Sequence, residues 1–94
     1  MDAKELTLNI AVNLGRIGRW ANEGKKTRVD QFLQETSEYL HQLELVPRSK
    51  RFDHTFQAFR ASYKSLSSDV RLDDAWADDM FTWATILTHR AKLA

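Results

Sequence analysis

The sequence predicts an all-α protein, an antiparallel up-down-up-down bundle of four helices. Helix breakers are scarce, because the 94 residues include only three Gly and one Pro, whereas a sheet would need more frequent turns. Four segments carry apolar residues spaced alternately three and four apart, which is typical of packed amphipathic helices. Short connections favour antiparallel neighbours. We expect one domain over residues 1–94, with helices at about 3–23, 28–46, 50–66 and 73–91.

The first two predicted helices have clear stop signals. Gly24 can adopt the left-handed conformation that closes the first helix, and Pro47 cannot continue the second. Thr27, with Asp30 three residues later, resembles a capping box and predicts the start of the second helix. The apolar stripes are Leu6, Ile10, Leu14, Ile17 and Ala21 in the first helix, and Val29, Phe32, Leu33, Thr36, Leu40 and Leu43 in the second.

The last two predicted helices have clear start signals. The third helix is predicted to start near Ser49, and Asp73 and Asp74 suit the positive end of the fourth. Aromatics at helical spacing usually fill the core of a small bundle, so we assign them to the core and not to a cofactor site. The stripes are Phe52, Phe56, Phe59, Tyr63 and Leu66 in the third helix, and Trp76, Met80, Trp83, Leu87 and Ala91 in the fourth.

Composition excludes several classes of function. Without cysteine there is no disulfide framework, thiolate zinc site or cysteine nucleophile. Fourteen Lys and Arg against thirteen Asp and Glu give a net charge of +1, which is far from the balance of a dedicated nucleic-acid binder. The N-terminus lacks the pattern of a signal peptide, and no apolar run could span a membrane. We expect a cytoplasmic protein without a membrane partner.

The three histidines, His41, His54 and His89, are predicted to lie on outer helix faces. Glu38 and His41 match the Glu-x-x-His spacing of di-iron bundles, but both lie off the apolar stripe and the motif has no second copy. We therefore expect no metal, no cofactor and no small-molecule substrate, and no catalytic residue. The acidic cluster Asp73, Asp74, Asp78 and Asp79 fits a solvated helix start.

A second interpretation is phosphotransfer signalling. Residues 32–40 resemble the helix that carries the acceptor histidine in histidine kinases, although Glu38 stands where that histidine would be. His41 and His54 could each accept a phosphoryl group from a partner, because an accessible imidazole is sufficient. The chain is too short to hold an ATP-binding domain as well, so kinase activity is excluded.

Basic residues are predicted to gather at one end of the bundle. In the up-down topology, the loop between the second and third helices lies beside the chain termini, which brings together Arg48, Lys50, Arg51, Arg90 and Lys92. Such an end could contact phosphate or RNA, but basic residues at helix ends are common in soluble proteins. Nucleic acid is therefore a weak third candidate partner.

The first helix has a second apolar face, opposite its core stripe. Arg16 and Arg19 border this face, and Arg16 lies one turn from Trp20, close enough to stack on it. The face is formed by Leu8, Ala11, Val12 and Gly15. Either the fourth helix or an irregular loop covers it within the chain, or it binds a protein partner or a second copy.

Two segments carry a family resemblance. Residues 14–21 and 83–94 resemble small helical proteins of cyanobacteria that have no assigned function. The resemblance implies a bacterial cytoplasmic protein and assigns no activity and no site residues. Together with the second face of the first helix, it leads us to expect a non-enzymatic interaction or regulatory module.

Overall fold

The computed structural model describes residues 1–94 and contains four α-helices and no strand. The helices are α1 (Ala3–Asn22), α2 (Lys26–Leu45), α3 (Lys50–Ser68) and α4 (Asp74–Arg90), and a single 3-10 turn (Ala91–Leu93) follows. The prediction of an all-α four-helix bundle is confirmed, and each helix end lies within two residues of its predicted position. None of the helices is long and apolar enough to cross a membrane.

Three predicted helix ends are set by the expected local signals. Gly24 has φ of 70°, the left-handed conformation that closes α1. The Ser49 hydroxyl accepts a hydrogen bond from the Phe52 amide at 3.2 Å, which caps α3. The Asp73 carboxylate accepts one from the Trp76 amide at 2.8 Å, which caps α4.

The predicted capping box at Thr27 is wrong. Helix α2 begins at Lys26, and Lys25, the residue before it, makes no side-chain capping bond. The Lys25 amide donates to the Trp20 carbonyl at 2.9 Å, so the connection is a tight backbone turn that leads directly into α2. Asp30 instead pairs with Lys26 at 2.7 Å, one helical turn away.

The interior is one cluster of buried apolar residues contributed by all four helices. The predicted α3 stripe supplies its largest fully buried side chains, since Phe52, Phe56 and Phe59 are at most 1% exposed. Two aromatic side chains of this interior form hydrogen bonds to backbone carbonyls. The Tyr63 hydroxyl donates to the Leu33 carbonyl at 2.8 Å, and the Trp76 indole donates to the Leu66 carbonyl at 3.1 Å. Every buried side-chain nitrogen and oxygen has a hydrogen-bond partner.

The four helices are not equally spaced. Backbone approaches are closest between α1 and α4 and between α1 and α2, whereas α2 and α3 stay farther apart. Small residues of α1 such as Ala11 and Gly18 are buried and permit close approach. The bulky stripe of α3 requires more space between backbones. The resulting bundle measures 37 × 20 × 19 Å.

Candidate interaction surface

The second apolar face of α1 is divided between the interior and the surface. Gly18 packs beneath the Phe81 ring of α4, and a Cβ atom placed there would lie 2.7 Å from Phe81 Cε1. Ala11 lies on the same side of α1, two turns earlier, and is only 4% exposed. Of the predicted face, Ala11 is therefore buried within the chain, and the neighbouring Gly18 is covered by α4.

The remaining part of that face is open to solvent. The Leu8 and Val12 residues are 36% and 52% exposed, and neither belongs to the core cluster. Gly15 follows on the same side, and a Cβ atom added there would meet no atom within 4 Å. We call Leu8, Val12 and Gly15, with the bordering Arg16 and Arg19, the outer face of α1.

The two arginines of the outer face rest on aromatic rings, although not in the predicted pairing. Arg19, not Arg16, lies over Trp20, at 5.9 Å from the ring centroid, whereas Arg16 lies over Phe32 at 6.0 Å. The predicted Arg16–Trp20 stack is wrong because Trp20 turns into the contact with α2, where it meets Phe32 edge to face at 4.7 Å. Both guanidinium groups stay at the surface.

Arg48 has a structural role at the basic end of the bundle. Its guanidinium donates to the Leu43 carbonyl at 2.7 Å and to the Glu44 carbonyl at 3.2 Å, which caps the end of α2. The same group lies 4.0 Å from the centre of the Phe56 ring and 3.3 Å from an Asp53 oxygen. Its charge is therefore already paired within the chain.

The other predicted members of the basic end remain exposed. The Ser49 hydroxyl donates to the Leu93 carbonyl, which brings the start of α3 beside the last residues of the chain. No carboxylate lies within ion-pair distance of the four exposed cations in this region, which are Lys50, Arg51, Arg90 and Lys92.

All three histidines are exposed, as predicted. His54 and His89 line a shallow cavity of about 330 Å³ between α3 and α4. His41 lines another, of about 240 Å³, between α2 and α3, together with Arg60 and Lys64. No three histidine, aspartate or glutamate side chains are grouped closely enough to hold a metal ion.

Comparisons with known proteins add no family to these observations. No protein-family model, curated protein or solved structure matches the chain. The resemblance to cyanobacterial helical proteins stays a prediction. Any function must therefore be argued from the surface of the bundle itself.

Proposed function

We propose that this chain is a non-enzymatic interaction or regulatory module that binds a protein partner through the outer face of α1. The observation that carries the proposal is the exposure of Leu8 and Val12, which lie one turn apart. Burying apolar surface against a partner releases about 25 cal/mol per Å² before the costs of association. Two neighbouring apolar side chains offer such a surface where a single one offers little.

The surroundings of Leu8 and Val12 strengthen this interpretation. Gly15 leaves open space on the next turn, so a partner's side chain can approach the α1 backbone. Arg16 and Arg19 form a polar border, and arginine is enriched in protein interfaces. Leu45 provides a contrast, because it is 73% exposed but has only polar residues three and four positions away on its own chain.

Replacing Leu8 and Val12 with Asp tests the proposal. We expect the double variant to lose assembly, measured as solution mass and as partner capture, because charged side chains would have to be desolvated in the interface. Its thermal stability should match that of the parent, since both positions are exposed.

Leu45→Asp is the matched control, because it places the same charge at an exposed leucine outside the outer face. This control should assemble like the parent. A Leu8→Asp/Val12→Asp variant that assembles and captures protein as the parent does would contradict the proposal.

A second candidate, phosphotransfer-like signalling, is favoured by the surroundings of His41. Its imidazole is exposed and lies 3.8 Å from Glu44, which also pairs with Arg60 at 3.5 Å. Lys64 lines the same cavity, has no ion-pair partner and could stabilise an incoming phosphoryl group. Incubation with a small phosphodonor should give acid-labile phosphate that His41→Gln removes and His54→Gln retains. Absence of label on the parent would eliminate this candidate.

Nucleic-acid binding through the basic end is less well supported. Arg48 is committed to the end of α2, which leaves fewer free cations for phosphate than the sequence predicts. Binding of this kind weakens steeply with salt, because it depends on counterion release.

A further inference from the structure

We propose that the partner of the α1 outer face is a second copy of this chain, with the two α1 helices packed antiparallel. The inference rests on the proposed function and names its partner. It follows from the order of residues along the exposed side of α1, which is apolar in the middle, acidic near the beginning and basic near the end.

A heptad pattern runs along this exposed side. Glu5, Leu8, Val12, Gly15 and Arg19 are spaced three, four, three and four residues apart, the spacing with which one helix packs against another. None of the five belongs to the core cluster. Glu5 extends the predicted face by one turn toward the beginning of α1.

Antiparallel alignment of two such stripes gives matched contacts. When Leu8 is placed opposite Val12 of the second copy, the two-fold axis repeats the contact, so two Leu8 and two Val12 side chains form an apolar centre. The same alignment places Glu5 opposite Gly15 of the second copy. Each residue of the stripe then meets a position suited to its size. At the edge of the interface Lys4 comes opposite Arg16 of the second copy, which weakens the association.

Gly15 makes room for the acidic side chain. Because no atom lies within 4 Å of a Cβ at Gly15, the longer Glu5 side chain of the other copy can occupy that space. Arg16 stands next to it, has no ion-pair partner in its own chain and can pair with the carboxylate. Arg19 forms only a long, exposed ion pair with Glu23 of its own chain, at 3.9 Å, and can exchange that partner for Glu5 of the other copy. Within its own chain, Glu5 has no ion-pair partner.

The same charges exclude the parallel alternative. A parallel pair would bring Glu5 against Glu5 and Arg19 against Arg19, and like charges facing each other oppose association. From Glu5 to Arg19 the stripe is about 21 Å long at 1.5 Å per residue, which is short for a stable interface. We therefore expect a weak dimer that forms as concentration rises.

Charge reversal provides the test. In Glu5→Arg the new arginine would face Arg16 and Arg19 of the other copy, and in Arg16→Glu/Arg19→Glu the acidic groups would face Glu5. Each variant alone should therefore be monomeric at concentrations where the parent dimerises, as measured by sedimentation equilibrium. An equal mixture of the two should form a heterodimer, because position 5 of each copy then faces groups of opposite sign at positions 16 and 19 of the other. Circular dichroism checks that both variants fold.

The outcomes separate this inference from the proposed function. Charge variants that dimerise like the parent, or a mixture that stays monomeric, would overturn the antiparallel dimer. A parent that stays monomeric at millimolar concentration would also overturn it. If a different protein is then captured by the parent but not by Leu8→Asp/Val12→Asp, the proposed function stands with another partner. If that capture is unaffected as well, both fail.

Discussion

The α1–α4 contact and the α2–α3 contact differ in the size of the side chains that lie between the two backbones. At the first, Gly18 removes the side chain altogether and the Phe81 ring fills the space that results. At the second, the backbones stay apart, and the large Tyr63 side chain of α3 reaches across to the Leu33 carbonyl of α2. Small residues thus allow the backbones to pack closely, and large residues keep them apart.

This difference shows which change each contact tolerates. Close packing of small residues is sensitive to added atoms, because interiors have little free volume. A contact that depends on one long side chain is sensitive to lost atoms, because its hydrogen bond then disappears. A substitution that adds atoms at Gly18 and one that removes an atom at Tyr63 test these opposite sensitivities.

The larger effect is expected at the α1–α4 contact. Gly18→Val should lower the free energy of unfolding by about 1–3 kcal/mol, because the new side chain overlaps the Phe81 ring. Thermal denaturation should show a fall of roughly 4–8 °C for each kcal/mol.

Gly15→Val is the matched control, since it adds the same atoms where nothing lies within 4 Å. The control should differ from the parent by no more than about 0.5 kcal/mol when measured at a concentration too low for assembly. Equal losses in both variants would show that the effect does not come from the contact with Phe81.

A smaller effect is expected at the α2–α3 contact. Tyr63→Phe should lower the free energy of unfolding by about 0.5–1.5 kcal/mol near neutral pH, because it removes the hydrogen bond to Leu33. Burial raises the pKa of the Tyr63 phenol above 10.0, an effect larger than the lowering by the Ser37 and Thr36 hydroxyls.

The raised pKa sets the direction of the pH dependence. The folded protein favours the neutral phenol, so the contribution of Tyr63 is complete below pH 10.0 and is lost as pH rises from there through the folded-state pKa. Urea denaturation between pH 8 and pH 11 should therefore show the parent losing its advantage over Tyr63→Phe. A constant difference across that range would contradict the proposed ionisation.

Much of the fold could be predicted because its signals are local. Gly24, Ser49 and Asp73 set helix ends through their own backbone or side chains, and the three-and-four spacing identifies the inward faces. The start of α2 could not be predicted in the same way, because it depends on how the turn after Trp20 closes.

The candidate surface was only partly predictable for a related reason. A helical projection places Ala11 and Gly15 on one apolar face, but only the packing of the neighbouring helices decides that Ala11 is covered and Gly15 is open. The structural role of Arg48 could not be predicted from the sequence either, because the carbonyls to which it donates are free only where α2 ends. Whether a residue of the predicted surface is buried or exposed therefore depends on the neighbouring helices and not on the residue type alone.

The close contact between α1 and α4 also affects how the chain is made. Residues 23–73 lie between the two helices, so this part of α1 stays uncovered on the ribosome until α4 emerges. A nascent chain that ends before Phe81 therefore displays Gly18 and its apolar neighbours to solvent. During synthesis the contact between α1 and α4 thus forms after the contact between α1 and α2, and the apolar surface that is uncovered in between favours chaperone binding and aggregation.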